Sequence, residues 1–255
     1  MAATTRSGVT AEQFVRELES FRSPEQRTWY ERHFQTGAGG YGEGDQFIGV
    51  RMGQVFALAK TFIDMPPAEI ERLLESPIHE VRVGGLSIMD KQARRKKTPE
   101  SRRKELYDLF VRCHDRINNW DLVDLACGYV VGGYLFDKPR DKLYELARSA
   151  NIWERRTAIV ATSYFIRQGD LDDAFRIAEM LLGDDHDLIH KATGWMLSYA
   201  GDKDRPRLLR FLDHHAATMP RTALRYAIEK LDHEERAHYL GMKKSGRSSA
   251  GKDDV

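Results

Sequence analysis

The sequence of 255 residues predicts an all-α fold made of stacked helical hairpins. Apolar residues recur three and four positions apart, which is the spacing of a buried stripe on a helix. Alternating patterns, which are typical of half-buried strands, are nearly absent. In addition, similar segments return at a nearly constant interval along the chain, as in proteins built from structural repeats.

The helical spacing is clearest in five segments. They are PAEIERLL, KELYDLFVRC, KLYELARSA, DAFRIAEMLL and RLLRFLDHH. One segment departs from this pattern: residues 36–49, TGAGGYGEGDQFIG, contain six glycines. Glycine tolerates turn conformations that other residues avoid, so this glycine-rich segment predicts a flexible loop or a short hairpin.

The second helices of successive predicted hairpins begin at a regular interval along the chain. These helices are predicted to begin around Arg82, Asn119, Arg155, Lys191 and Arg225, in steps of 37, 36, 36 and 34 residues. Such an interval fits two helices and two turns, which indicates a HEAT-like helical-repeat solenoid with a concave groove. Three residues after each start the side chain is small or apolar, as packing between neighbours requires: Gly85, Leu122, Ala158, Gly194 and Ile228.

Length and composition favour one domain, predicted over residues 10–240, with disordered tails at residues 1–9 and 241–255. The chain is 41% hydrophobic and 31% charged, and no apolar run approaches the roughly 18 residues of a spanning helix. The first residues lack the apolar core of a secretory signal. We therefore expect a monomer in a bacterial-type cytosol, with no membrane partner.

Neither a metal nor a cofactor is expected. Cys113 and Cys127 form neither a disulfide framework nor a zinc cluster. His186 and His190 are four residues apart, but the adjacent Glu of a zinc protease and a third ligand are missing. The glycines of the glycine-rich segment do not follow a strand and do not match a phosphate-binding loop.

The charge balance does not by itself indicate nucleic acid, because 40 basic residues face 39 acidic ones. The distribution of the charged residues along the chain is more informative. Residues 91–104, KQARRKKTPESRRK, hold eight basic side chains against one acid. This basic stretch could contact phosphates and release counterions, or it could be a solvated loop.

Four side chains could form a site for a cation. Counted from the helix starts, Trp120, Asp124, Arg156 and Trp195 fall within one sector of roughly 100° at the helical angle per residue. Indole faces attract cations, and a carboxylate stabilises positive charge. Hydrolysis of an alkylated purine nucleoside needs both, because the base is cationic and the sugar develops oxocarbenium character. Taken singly, either Trp could be core, Asp124 could pair with an Arg, and Arg156 could be a surface charge.

Six strings also resemble the AlkD family of DNA alkylation repair proteins, from about Trp29 to Arg236. They are YGEGDQFIGV, HEVRVGGLSIM, NNWDLVD, WERRTAIVAT, HDLIHKATGWML and MPRTALRYAIEKL. The resemblance implies a HEAT-like solenoid that excises positively charged N3- and N7-alkylpurines from double-stranded DNA without metal or cofactor. It also implies that the lesion stays largely stacked, whereas most base-excising enzymes flip it out.

The resemblance further implies roles for individual residues. The catalytic aspartate of the family corresponds to Asp124, and its two cleft tryptophans correspond to Trp120 and Trp195. A third cleft aromatic corresponds to Trp29, with Tyr30 as an alternative one residue later. The residues expected to contact DNA are Arg156, Trp29 and Lys191.

Three positions depart from the family pattern. Ser198 stands where an arginine usually follows the second tryptophan, so one phosphate contact is expected to be missing. Gly53 and Phe56 replace a proline and an arginine. Three hypotheses stay open: a monofunctional DNA glycosylase, a DNA-structure-binding relative with weak or no excision, and a HEAT scaffold for a protein partner.

Overall fold

A computed structural model describes residues 9–242 of the chain. Residues 1–8 and 243–255, which make up most of the two tails predicted to be disordered, lie outside the described residues. The chain divides into two compact units, Met1–Phe165 and Ile166–Val255, and each is described below by itself. The single domain predicted over residues 10–240 stays a prediction.

The first unit is helical, with short connections and one long irregular segment before the third helix. Its helices are α1 (Ala11–Glu19), α2 (Pro24–His33), α3 (Met52–Thr61), α4 (Pro67–Leu74), α5 (His79–Arg94), α6 (Glu100–Arg112), α7 (Trp120–Cys127), α8 (Gly133–Leu135), α9 (Asp141–Ala147) and α10 (Ile152–Gln168). A 3-10 turn, His114–Arg116, precedes α7, and a π-helical turn, Gly128–Gly132, joins α7 to α8. Helix α10 continues past the boundary between the units.

The second unit continues the same helical pattern. Its helices are α11 (Asp172–Leu181), α12 (Asp187–Gly201), α13 (Arg205–His215), α14 (Arg221–Ala227) and α15 (His233–Gly241). Several begin at a side chain that accepts a backbone hydrogen bond, which satisfies a donor that the first helical turn leaves free. Asp204 caps α13 and Asp232 caps α15 in this way.

The all-α prediction is confirmed: between residues 9 and 242 the structure contains no strand, only a single parallel bridge between Gln46 and Ile78. The five predicted second helices are also present, as α5, α7, α10, α12 and α14. A further helix precedes each of them, so helix pairs do recur. The five helices begin at residues 79, 120, 152, 187 and 221, so their spacing is less even than predicted. The concave groove stays a prediction.

Small residues allow the helices to pack closely where the repeat pattern requires it. A Cβ added to Gly194 in α12 would lie 2.3 Å from the carbonyl oxygen of Ala223 in α14. A Cβ added to Gly85 in α5 would lie 3.1 Å from a methyl group of Leu74. Helix α4 contributes its apolar stripe to this packing, since Ile70 and Leu73 are fully buried. The sequence pattern thus sets the spacing of the helices.

The glycine-rich segment folds into turns rather than a hairpin, and its end is fixed by a buried carboxylate. Glu80 has no exposed surface, and its carboxylate accepts three backbone N–H groups, those of Ile48 at 3.1 Å, Gly49 at 2.7 Å and Val50 at 3.2 Å. Gly49 has φ of +81° and its Cβ position would lie 1.9 Å from the carbonyl oxygen of Ser23. Only glycine fits there.

Within the part of the chain that the structure describes, every helix is too short or too polar to cross a membrane.

We expect Glu80→Ala to destabilise the protein by about 3 kcal/mol or more, because three buried N–H groups lose a charged acceptor. Urea unfolding measures this change. The control is Glu12→Ala, which removes a surface carboxylate that pairs with the exposed Arg16 and should cost about 0.5 kcal/mol or less. Equal losses in the two variants would contradict the anchoring role of Glu80.

Candidate functional site

Trp120 is the first residue of α7, and its indole packs against an aromatic cluster of the first unit. The side chain of Asn119 caps the helix and accepts the backbone N–H of Trp120 at 2.8 Å. The indole is partly buried against the cluster and stacks on Phe34, with ring centroids 5.7 Å apart. The cluster itself consists of Tyr30, Phe34 and Phe47. One part of the indole is therefore held by packing, and the rest reaches solvent.

The glycine-rich segment contributes a residue to this site that the sequence patterns did not reveal. The hydroxyl of Tyr41 lies 3.4 Å from the indole nitrogen of Trp120 and donates to the backbone carbonyl of His33 at 2.9 Å. Its ring lies edge-on to Trp153, at 6.5 Å between centroids. Tyr41 stands among glycines and Trp153 is buried, so neither had a pattern that marked it as part of a site.

Of the two alternatives near the start of the chain, Trp29 is the accessible aromatic. Its side chain is 53% exposed and stacks on His33, with ring centroids 4.6 Å apart at 12°. Tyr30 is buried, and its hydroxyl bonds to the backbone of Val50 and Met52. His33 also contacts Trp120 edge-on at 6.1 Å. An exposed stack of Trp29 and His33 therefore lies beside Trp120.

Asp124 and Arg156 form a bidentate ion pair. The guanidinium donates from Nε to Oδ1 at 2.8 Å and from Nη2 to Oδ2 at 2.6 Å. The Arg156 side chain is 6% exposed and that of Asp124 is 19% exposed. The sequence predicts separate roles for these residues, with an unspecified Arg as an alternative partner of Asp124. The structure shows that the partner is Arg156 itself.

Burial dominates the electrostatics of Asp124. Loss of water raises the pKa of the Asp124 carboxyl, Arg156 opposes this rise by charge and hydrogen bonding, and Asp121 adds to it. The result is a carboxylate that keeps a narrow opening to solvent but is little screened by water. Such a group acts strongly on a positive charge that develops beside it.

In the second unit, α12 presents one accessible stripe. Between residues 191 and 200 the side chains that are not buried are those of Lys191, Trp195 and Tyr199. They are four residues apart and share one face of the helix. Trp195 is 41% exposed, and the hydroxyl of Tyr199 accepts from Arg167 at 3.2 Å. Lys191 forms an ion pair with Asp187 at 2.8 Å. Lys191 and Trp195 are predicted from the sequence, whereas Tyr199 carries no sequence signal that marks it.

The three positions that depart from the family pattern have different surroundings. Ser198 is buried in α12, and its hydroxyl lies 3.2 Å from a carboxylate oxygen of Glu229. Phe56 is 37% exposed, and the amine of Lys91 lies 5.7 Å from its ring centroid. A Cβ at Gly53 would meet no atom within 4 Å. Ser198 is thus part of the packing of the second unit, whereas Phe56 keeps a cation beside it.

Four of the eight basic side chains in the stretch at residues 91–104 form ion pairs. Arg94 pairs with Asp90, Arg95 with Asp64, Arg102 with Glu105 and Lys104 with Asp108. This arrangement favours the solvated alternative, although Lys96 and Lys97 are exposed. Whether the stretch contacts phosphate stays a prediction.

The described residues contain no group of three or more His, Cys, Asp or Glu side chains arranged to hold a metal ion. His186 instead caps α12 by accepting the N–H of Leu188, and His190 bonds to the backbone carbonyl of Asp184. Cys113 and Cys127 are free thiols and both are buried. Burial raises the pKa of Cys127 well above its usual value, which makes it a poor nucleophile.

Comparisons with known proteins found one family model and one solved structure that match most of the chain. The family model described as DNA alkylation repair enzyme matches residues 14–231. A solved structure titled "Predicted DNA alkylation repair enzyme from Enterococcus faecalis" is similar, with a TM-score of 0.65 and 16% identity over 83% of this chain and 97% of that chain. At this identity the likeness supports the helical fold alone. Among curated proteins no match is found.

We expect Arg156→Gln to destabilise the protein by about 3 kcal/mol at neutral pH, because it leaves the Asp124 carboxylate buried without its cation. Without Arg156, burial holds the folded-state pKa of Asp124 above its unfolded value. The penalty is therefore present when Asp124 is ionised and fades as the pH falls through that raised pKa.

Urea unfolding at neutral and acidic pH measures the effect. The control is Arg112→Gln, which breaks a surface pair with Glu71 and should cost about 1 kcal/mol or less. A loss in Arg156→Gln that does not shrink relative to the control at acidic pH would contradict this account.

Proposed function

The chain belongs to the family of DNA alkylation repair enzymes, and from that premise we propose that it is a monofunctional DNA glycosylase. The proposed reaction hydrolyses the N-glycosidic bond of cationic N3- and N7-alkylated purines in duplex DNA. A role in DNA repair follows from the family. The reaction and its substrate are proposed from the chemistry of the candidate site.

The reaction suits a site with one carboxylate. An N3- or N7-alkylated purine carries a positive charge, so it takes the electron pair of the breaking bond and leaves as a neutral base. The sugar develops oxocarbenium character, and water adds to C1′ and loses a proton. Because the leaving group is already activated, a general acid is not needed. One anion beside the sugar can stabilise the charge and accept the proton from water.

The ion-paired carboxylate of Asp124 is the observation that carries this proposal. Asp124 is largely buried yet keeps 19% of its side chain exposed, and it lies one helical turn after Trp120. Arg156 favours its ionised form although burial raises the pKa. We propose that Asp124 stabilises the developing sugar cation and positions water, while Arg156 orients the carboxylate.

The aromatic residues are proposed to contact the DNA around the lesion. Trp120 and the exposed Trp29 offer indole faces in the first unit, and Trp195 offers one in the second. A cationic base or sugar is attracted to such faces by about 0.5–2 kcal/mol for each contact. Lys191, one turn before Trp195, would add a phosphate contact. Each unit thus supplies aromatic groups suited to a charged nucleoside and its backbone.

A DNA-binding relative with weak or no excision is the second candidate. The bidentate pair favours it, because both oxygens of Asp124 are engaged by Arg156. A carboxylate committed to an arginine has less capacity to accept a proton from water. Such a protein would recognise distorted or branched duplexes through the same aromatic and basic groups.

We expect Asp124→Asn to lower the single-turnover release of 7-methylguanine and 3-methyladenine from alkylated duplex DNA by about 100-fold, because the charge opposite the developing cation is lost. Chromatography of the released bases measures the rate, and a gel shift measures affinity for the same duplex. The affinity should change much less than the rate.

The control for this experiment is Asp108→Asn, which removes a surface carboxylate paired with Lys104 and should leave the rate unchanged. A wild-type protein that releases neither base while binding bulged or branched duplexes would favour the second candidate. Absence of any salt-sensitive DNA binding would remove both candidates and favour a protein scaffold.

We expect Trp195→Ala to lower the rate of base release about 10-fold, because one indole face is lost. The stability should change little, since the side chain is 41% exposed. Phe21→Ala is the matched control, because Phe21 is an aromatic residue with 40% exposure. If the two variants release bases at the same rate, Trp195 has no part in the site.

A further inference from the structure

A buried cluster of four charged side chains lies beneath Trp120. The buried charge cluster consists of Asp45, His79, Arg82 and Asp121. His79 is fully buried, and the side chains of Asp45, Arg82 and Asp121 are 2%, 6% and 17% exposed. Arg82 donates to Asp45 at 2.6 Å. Two carboxylates are balanced by a guanidinium and, if it is doubly protonated, by the imidazole ring, so that no net charge is buried.

The geometry around His79 requires both ring nitrogens to be donors. Nδ1 lies 3.1 Å from Oδ2 of Asp45, and Nε2 lies 2.8 Å from Oδ2 of Asp121. A neutral imidazole has one donor and one acceptor nitrogen, so one carboxylate would face a lone pair. With both carboxylates ionised, only the imidazolium form satisfies both contacts. The ring also contacts Phe34 and Phe47, at 5.0 and 4.6 Å between centroids, and these two rings stack on each other at 5.1 Å.

The charges around the ring also favour its protonation. Burial lowers the pKa of His79, but Asp121 and then Asp45 outweigh it and raise that pKa to about 9. The charged groups that face His79 are Asp45 from the glycine-rich segment and Asp121 from α7. Arg82 on the same helix lies behind Asp45, and the two phenylalanine rings are neutral. Burial raises the pKa of Asp45, but His79 and Arg82 bring it well below the usual range.

The buried charge cluster holds Trp120 in place through the residues that come before and after Trp120 in the chain. On one side, the amide of Asn119 donates to Asp45 at 3.2 Å, and its oxygen accepts the backbone N–H of Trp120 at 2.8 Å. On the other side, Asp121 contacts His79 at 2.8 Å. A third link runs through Phe34, which packs against both the His79 ring and the indole of Trp120. The first turn of α7 is thus tied to the glycine-rich segment.

We propose that His79 is a positioning residue of the candidate site: as an imidazolium bridging Asp45 and Asp121, it fixes the first turn of α7 and thereby the indole of Trp120 and the carboxylate of Asp124 one turn later. The bridge is lost when the ring loses a proton, because one carboxylate then repels the ring nitrogen that it faces. This inference concerns the free protein and rests on the proposed function only for its effect on base release.

The first test uses the free wild-type protein and needs no substrate. Nitrogen NMR of histidine side chains should show both ring nitrogens of His79 protonated at neutral pH. The internal control is His114, which is also buried but whose pKa burial lowers, so its ring should be neutral. As the pH rises through about 9, His79 should lose its proton and the indole N–H signal of Trp120 should shift with the same midpoint.

The second test compares His79→Gln with Asp121→Asn. Both variants should shift the Trp120 indole signal at neutral pH and remove its alkaline titration. Base release from alkylated duplex should fall roughly 10- to 100-fold, because displacement of the site by a fraction of an ångström is costly. Affinity for DNA should change little, and the double variant should lose no more than the worse single one.

The outcomes separate this inference from the proposed function. If the wild-type protein releases no base but His79 titrates with the Trp120 signal, the glycosylase proposal fails and the positioning role stands. If His79 is neutral at neutral pH, or its titration leaves the Trp120 signal unmoved, the positioning role is wrong. Should His79→Gln fail to fold, the wild-type titration and Asp121→Asn still decide the question.

Discussion

Burial of charge at the first turn of α5 is the constraint on which the candidate site depends. Glu80 and His79 are adjacent, and neither has any exposed surface. Glu80 accepts three backbone N–H groups at the end of the glycine-rich segment and just after it, and His79 joins that segment to α7 through two carboxylates. Ionised groups are costly to bury unless every one is paired or hydrogen-bonded. The pairing of these buried charges therefore fixes the conformation of the glycine-rich segment.

That arrangement explains how an irregular, glycine-rich segment can form part of a defined site. Its glycines allow close approach: a Cβ at Gly42 would lie 2.3 Å from the carbonyl oxygen of Phe34. This approach brings Tyr41 to the indole of Trp120. Glycine alone would leave the segment mobile, because it loses much conformational freedom on folding. The buried carboxylates offset that cost and hold the segment, including Tyr41, in a fixed position.

Asp124 and Arg156 show the same principle at the point where chemistry is proposed. A carboxylate that is removed from water interacts more strongly with a nearby cation, but it needs a partner to stay ionised. Arg156 provides that partner within the first unit. The second unit offers its accessible stripe on α12, where Lys191, Trp195 and Tyr199 lie four residues apart. The proposed recognition of a cationic nucleoside rests on two properties. The acid is buried together with its counterion, and the aromatic residues stay accessible.

The sequence by itself determined the helical fold, the recurrence of helix pairs and the family, because apolar periodicity and short ordered strings are local properties of a chain. It also pointed to Trp120, Asp124 and Trp195 as candidates, and Trp120 and Trp195 keep accessible surface. Only the tertiary structure revealed the pairing of Asp124 with Arg156, the place of Tyr41 and the buried charge cluster. The partners of His79 are 34 and 42 residues away, and no spacing rule links residues that far apart. Such contacts arise only when separate helices pack, so their chemistry is decided by the fold.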